Sequence, residues 1–499
     1  MSDDLVLGLD IGTSSSKAVL CDSGGRVVRR AEREHHTSRP AAGHVEHDAD
    51  RVWWDDVLRL TAELGDLDRV AAVCVSGIGP CLLVTDEAGT PLRPAILYGV
   101  DTRAARQIAD QERAFGAEKV LRRCGSGLTS QAVGPKMQWV RENEPHVWDR
   151  ARRFFMASSF IAFRLSGAYV LDHHSASQAV PLYDANAQDW AADWAAEVAG
   201  GLELPALVWP GDIVGEVTAE AAAHTGLRTG VPVLAGTVDA WAEAYSVGVR
   251  APGDCMIMYG TTMFLVAYAD DVQPCPRLWT ANGVDPGSRC AAAGMSAFGA
   301  VARWGAQTLA GGSYAELEAA AAGVPPGAAG LVVLPYWDGE RTPIFDPDAR
   351  GVIAGLGLEH GPGHVYRALL EGTALGVRHN LLTLREAGVS PERLVAVGGG
   401  ARQRLWVRIV SDVTGAEQAI PGELVGAAYG DARLAAEAIG LADRRSTWAR
   451  VRETVRPDPR NAELYAAMFD DYLDLYDRTG PLLHRLRDRA DGVPQKGVR

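Results

Sequence analysis

At 499 residues the chain is too long for one ordinary domain, so two large domains or three smaller ones are expected. Its 47% apolar content is ample for substantial cores, and 49 Lys and Arg against 63 Asp and Glu leave a formal charge of −14. That charge argues against nucleic acid or an anionic membrane surface as partner, and it means that a bound polyanion needs local devices: turn N–H groups, a few cations and Mg²⁺.

The opening Ser2-Asp3-Asp4 carries no basic and apolar leader, and no apolar run approaches the length of a membrane-spanning helix. A cytoplasmic location is expected. Seven scattered cysteines without a C-x-x-C pair read as reduced thiols rather than a disulfide framework or a zinc site. His44 and His47 flank Glu46 in a polar stretch and read as surface residues, not as a metal pair.

In chain order, Leu5 to Leu20 reads as an apolar strand ending near Asp10, a turn Gly12-Thr13-Ser14, and a second apolar strand bearing Lys17. A polar loop from His35 to Asp50 follows, then a helix with Val52, Trp53, Val57 and Leu60 at helical spacing. Trp53-Trp54 reads as core. Val70 to Ser76 is a buried-strand run that ends in the glycine-bearing loop Gly77-Ile78-Gly79-Pro80. Strands alternate with helices up to Val231–Ala235, where Gly236-Thr237-Val238 leads into a helix at Asp239. The turn-rich Val247–Gly253 marks a boundary.

Beyond it the opening pattern returns. Asp254 to Tyr259, Gly260-Thr261-Thr262 and Met263 to Val266 repeat strand, turn and strand. Such a recurrence half a chain apart predicts a duplicated domain. Leu394–Val397 is a further strand, followed by Gly398-Gly399-Gly400-Ala401-Arg402 and a helix. Leu464, Tyr465, Met468, Phe469, Tyr472, Leu475 and Tyr476 mark one apolar helix face, and residues 488–499 read as a disordered tail.

Turns with glycine and small hydroxyl residues present N–H and O–H donors to phosphate oxygens with no bulky side chain in the way. Asp10, beside such a turn, is either a turn former or a carboxylate facing phosphate through Mg²⁺; the second hairpin favours the latter. Lys17 fits an edge cation as well as a phosphate contact. Gly399 and Gly400 allow close approach of a planar ligand or a phosphate. Asp239, at a helix start, suits an N-cap and equally a carboxylate aimed at a substrate hydroxyl. An ordinary carboxylate is a weak base for an alcohol, so it suffices only where proton transfer is late, as in a loose phosphoryl-transfer transition state.

Together these segments resemble the FGGY carbohydrate kinases, most closely the xylulokinase-like branch, over roughly residues 5 to 480. The resemblance is carried by Gly8-Leu-Asp10-Ile-Gly-Thr13, Gly43-His-Val-Glu46-His-Asp48, Pro135-Lys136-Met-Gln-Trp139, Gly236-Thr-Val-Asp239, Tyr259-Gly260-Thr-Thr, Gly339-Glu340-Arg341-Thr-Pro343 and Gly398-Gly-Gly-Ala-Arg402. It implies an α/β protein of two ribonuclease H-like domains of the actin and sugar-kinase superfamily with a cleft between them. The implied divisions are 1–246 on the sugar side, 247–440 on the nucleotide side, and 441–487 as a helical extension.

It also implies ATP and Mg²⁺ as cofactors, a sugar or polyol substrate, and a homodimer. Asp10 would lie near the metal and Gly12, Thr13, Ser14, Lys17, Gly260, Thr261 and Thr262 near the phosphates. Gly399, Gly400 and Ala401 would border the adenosine, with Asp239 as general base. Typical xylulokinases carry Met-His where Ile78-Gly79 stands here, and the Trp-x-Asp-x-Arg segment appears as Tyr98-Gly-Val-Asp101-Thr-Arg103, one residue longer. Ile78, Gly79, Asp101 and Arg103 are therefore expected at the substrate, with a changed reading of sugar hydroxyls. The competing readings are a nucleotide-driven conformational protein resembling actin, and a sugar-binding protein without catalysis.

Overall fold

Residue order and packing part company late in this chain. The computed structural model describes residues 4–311, 313–422 and 425–491. They form two compact units. The first comprises the chain up to Ala251, together with Val272–Cys290 and Val425–Arg450. The second comprises Pro252–Asp271, the chain from Ala291 through the strand ending at Pro421, and the chain from Val451 onward.

The first unit is built on a six-stranded sheet in the order Ile213–Glu216, Pro232–Leu234, Val70–Gly77, Leu5–Ile11, Ser15–Cys21, Val27–Glu34. Leu5–Ile11 pairs antiparallel with Ser15–Cys21 and parallel with Val70–Gly77. All seven of its residues are buried, because both sheet faces are covered and a continuous apolar run suits that position. Val27–Glu34 stands at the edge, where its Arg and Glu side chains are solvated and discourage pairing with another chain.

The second unit repeats this plan. Asp254–Tyr259 pairs antiparallel with Met263–Ala269 and parallel with Arg393–Val397, which is itself parallel to Gln418–Pro421. Each unit thus has a hairpin on one side of its leading strand and a parallel partner on the other. The duplication expected from the two Gly-hydroxyl turns is present in the topology.

Helix Ala427–Ala438, although written after most of the second unit, packs on Leu5–Ile11, Val70–Gly77 and helix Asp239–Ser246 of the first. Gly430 makes this fit: a Cβ there would lie 1.9 Å from the Ala242 carbonyl oxygen. Residues 247–440 therefore do not pack as one block.

Trp53 and Trp54 are core residues, as expected. His47 is a correction. It sits in the short strand Glu46–His47 and is 1% exposed, accepting from Trp53 Nε1 at Nδ1 (3.1 Å) and meeting the Thr37 hydroxyl at Nε2 (3.3 Å). Burial, then the neighbouring His35, push its pKa down to about 4, so it is a neutral core imidazole. The seven cysteines are buried and joined in no disulfide. Helix Ala462–Asp491 buries Tyr465, Met468, Phe469 and Tyr472 but leaves Leu464 exposed. It runs on through residues 488–491, expected to be disordered; 492–499 lie outside the described residues.

Candidate active site

Four carboxylates meet where the leading strands of the first unit end. Asp10 lies near the end of Leu5–Ile11, in register with Lys17 on one side and Ser76 on the other, and is 8% exposed. Asp239 opens helix Asp239–Ser246. It is not the N-cap, which is Val238; its Oδ1 accepts from the Ala240 N–H at 2.7 Å, and the carboxylate is half-buried. Gly236, at φ 67° with a virtual Cβ 1.7 Å from the Val75 carbonyl oxygen, lets the chain entering this helix lie directly on the Val70–Gly77 strand. Glu243 follows one turn later.

Asp431, on helix Ala427–Ala438, is fully buried. Its Oδ2 accepts from the Ser76 N–H at 3.0 Å and the Ser76 hydroxyl at 2.6 Å, and the same hydroxyl lies 3.4 Å from Asp10 Oδ1. One serine thus links Asp431 to Asp10.

The cluster is short of positive charge. Burial, then the charges of Asp239 and Asp431, hold Asp10 well above the usual carboxylate range against the pull of Lys17. Burial raises Asp239 to about 6, opposed by the Ala240 N–H. Burial and then Asp239 raise Glu243 to about 7. Burial raises Asp431 to about 8, although Ser76 favours its ionised form. Like charges so placed cannot all ionise, so the group takes up protons or a cation. Among the described residues no set of three His, Cys, Asp or Glu is arranged to enclose a metal ion.

The Gly12–Ser14 turn is pinned from behind. Gly12 N–H donates to the Ser15 carbonyl (3.1 Å), His35 Nε2 meets the Gly12 carbonyl (3.1 Å), and His35 Nδ1 meets Asp56 (2.7 Å), which also accepts from Ser16 Oγ (2.8 Å). Thr13 Oγ1 lies 3.1 Å from the Tyr98 hydroxyl, and Ser14 is exposed. Lys17 is half-exposed, 3.6 Å from Glu32, and also acts on Asp10 and Glu243.

The loop after Val70–Gly77 sits beside Asp239. Gly77 N–H donates to the Thr237 carbonyl (3.1 Å), and a Cβ on Gly79 would lie 2.7 Å from Val238. Ile78 is buried, its N–H donating to Ile11 (2.8 Å). Asp101 and Arg103 are buried and paired with each other. Their side chains are 0% and 1% exposed and joined at 2.7 Å; Arg103 also donates to Glu46 at 2.7 Å, and Asp101 accepts from the Val45 N–H at 2.6 Å. Their polar groups are turned on each other, on Glu46 and on the Val45 N–H, and so brace this wall.

In the second unit, Gly260, Thr261, Gly399 and Gly400 line one cavity of about 340 Å³, with Tyr259, Arg303, Gln403 and Trp406. Arg303 donates to Thr261 Oγ1 at 3.3 Å. Trp406 stacks on Phe298 with centroids 4.4 Å apart and donates from Nε1 to Thr373 Oγ1 at 2.9 Å, giving a rigid aromatic floor. Such a volume suits a small planar ligand with a polar tail. Thr262 is exposed and does not line this cavity, and Ala401 is buried.

Sequence reasoning missed Glu243, Asp431, His35, Asp56 and Arg303. The spacing of Glu243 four residues after Asp239, on one helix face, was a usable signal. Asp431 sits in an alanine-rich helix and reads as an ordinary exposed charge.

Models of the FGGY family of carbohydrate kinases match residues 5–245 (N-terminal domain) and 255–439 (C-terminal domain). The chain is 27% identical to xylulose kinase of Bacillus subtilis over 490 residues, covering 96% of this chain and 97% of that one. It is 29% identical to glycerol kinase of Nocardia farcinica over 472 residues, covering 89% and 93%. The solved xylulose kinase of Rhodospirillum rubrum superposes with a TM-score of 0.89 at 34% identity, over 96% of this chain and all of that one. With the paired hairpins, the carboxylate cluster and the glycine-lined cavity, these matches establish that the chain belongs to the FGGY family of carbohydrate kinases.

Proposed function

We propose that the protein transfers the γ-phosphoryl group of ATP to a primary hydroxyl of a ketopentose or a related sugar or polyol, D-xylulose being the first to try. The observation that carries this reading is Asp239: a half-buried carboxylate at a helix start, raised to about 6, beside the Ile78-Gly79 loop. A raised carboxylate is still ionised at neutral pH and is a better proton acceptor than an ordinary one. Asp239 orients the acceptor hydroxyl and takes its proton late, as the new P–O bond forms. Residues 1–246 supply the acceptor side, with Ile78 and Gly79 against the substrate. Residues 247–440 supply the nucleotide side, with Gly260, Thr261, Gly399 and Gly400 around ATP, while helix Ala427–Ala438 serves the first unit.

Gly12, Thr13 and Ser14 donate to phosphate, and Lys17 offsets the charge that a phosphate meets beside Asp10. Carboxylate oxygens suit Mg²⁺, which keeps much of its water and binds through one or two carboxylates and phosphates. Asp10 would hold it through that water, and the ion would neutralise phosphate charge. A cytoplasmic location and a homodimer belong to the same reading. The glycerol kinase relative keeps polyols among the acceptors to be tried.

The test is ADP release over a panel of ketoses, polyols and sugar acids. Turnover on a neutral sugar or polyol, lost in Asp239→Asn while ATP binding persists, is expected. A folded protein silent on the whole panel, or a fully active Asp239→Asn, refutes the reading.

A further inference from the structure

Around the Gly260–Thr262 turn the second unit offers donors and has already spent its acceptors. The carbonyl oxygens of Gly260 and Thr261 are taken by the N–H groups of Phe298, Gly299 and Ala300, each at 3.0 Å. Among the described residues, the N–H groups of Gly260, Thr261 and Thr262 find no protein acceptor. Arg303, in the second turn of helix Gly299–Ala310, lines the same cavity as Gly260 and Thr261, and it is the only charged side chain among the described residues that do so. It is exposed, and its one hydrogen bond among the described residues goes to Thr261 Oγ1 at 3.3 Å. A guanidinium carries five N–H donors, so most of them stay free. Elsewhere in this unit Arg367, Arg393 and Arg404 are each paired with a carboxylate, whereas Arg303 has none.

Such a wall asks for a ligand dense in acceptor oxygens and negative charge. The cavity holds about 340 Å³, and Trp406, stacked on Phe298, gives it an aromatic floor for a planar group. A planar base with a chain of phosphates meets both demands, because its tail carries acceptor oxygens to the turn and to the guanidinium together. Arginine suits that task better than lysine, since its planar fork can donate two parallel N–H bonds to one phosphate. In a chain of formal charge −14 a lone cation at this point also offsets the repulsion that a polyanion meets on approach. We propose that Arg303 is a polyphosphate-binding residue, donating to phosphate oxygens of a nucleotide seated at the Gly260–Thr262 turn, and that it makes the cavity take nucleoside di- and triphosphates in preference to the bare nucleoside. This rests on the nucleotide-side reading given above and names the residue that reads the phosphates there.

Calorimetry on the full-length protein, with adenosine, ADP and ATP and no acceptor, tests it. The wild type should bind ADP and ATP about tenfold or more tightly than adenosine. Arg303→Gln should weaken ATP by about tenfold or more and leave adenosine within about twofold, and Arg303→Lys, which keeps the charge without the fork, should fall between. In the wild type, ADP and inorganic tripolyphosphate should slow modification of Arg303 by phenylglyoxal, followed by peptide mass spectrometry, and adenosine should not; this readout is independent of any variant's folding. Unchanged ATP affinity in Arg303→Gln, equal losses for ATP and adenosine, adenosine bound as tightly as ATP, or no protection by either polyphosphate overturns the proposal. Arg303-dependent ATP binding without ADP release on any acceptor would instead sink the kinase reading, and ADP release with Arg303-independent ATP affinity would sink this inference alone.

Discussion

Asp431 is a carboxyl group that folding forces to hold its proton. It is fully buried, accepts from Ser76 and the Cys74 thiol, and burial lifts it from an ordinary 3.8 to about 8. Because the folded pKa is above the unfolded one, its contribution to stability is complete below about pH 4 and is lost as pH rises through about 8. Between those limits each pH unit removes about 1.4 kcal/mol, and the span of roughly four units sets a ceiling of about 6 kcal/mol. Asp431→Asn keeps an acceptor oxygen for Ser76 but does not titrate. Urea denaturation at pH 5, 6, 7 and 8 should therefore show the variant losing less stability per pH unit than the wild type, by up to about 1.4 kcal/mol. Asp10, Asp239 and Glu243 titrate in both proteins, so the difference between the two slopes is what matters. Parallel curves would mean that Asp431 is ionised in the fold and would refute the reasoning.

Three further outcomes follow from the same geometry. Asp239 must be ionised to accept a proton, so kcat/KM should fall about tenfold per pH unit below about 6, and Asp239→Asn should lower kcat by roughly 10²- to 10⁴-fold. A pH-independent rate from 5 to 8 would remove Asp239 from proton transfer. Gly399 has nothing within 4 Å of its virtual Cβ, so Gly399→Ala should leave the fold intact, whereas Gly399→Leu should intrude on the cavity and raise KM for ATP at least tenfold with acceptor KM unchanged, as steady-state kinetics will show. Gly430→Ala drives a methyl into the Ala242 carbonyl, 1.9 Å away, and calorimetry should find Tm lowered by about 2–5 °C for a cost of roughly 2–3 kcal/mol.

The parts of the site written as local grammar were legible. Gly12–Ser14 and Gly260–Thr262 announce themselves because a strand, a glycine-hydroxyl turn and a strand are contiguous, and Asp239 because a helix begins there. Whatever depends on a distant neighbour was not. Asp431 looks solvated until its helix is laid against Leu5–Ile11; His47 looks exposed until Trp53 donates to it. Asp101 and Arg103 carry the right chemistry for a sugar, and nothing in their spacing says that they satisfy each other. Lys136 stands in a recognisable Pro-Lys-x-x-Trp run, yet the burial of its ammonium is a property of the packed wall.

The delayed helix Ala427–Ala438 also governs how the protein is born. A ribosome must finish the stretch from Ser246 to Ala427 before Gly8 and Ser76 can meet Ala428 and Asp431, their last packing partners. At synthesis rates of about 5–20 residues per second this leaves the first unit unfinished for roughly 10–40 s. Throughout that interval Leu5–Ile11 lacks its cover, so nascent chains stalled or cut before Ala427 should be chaperone clients, and no excised amino-terminal fragment should fold by itself.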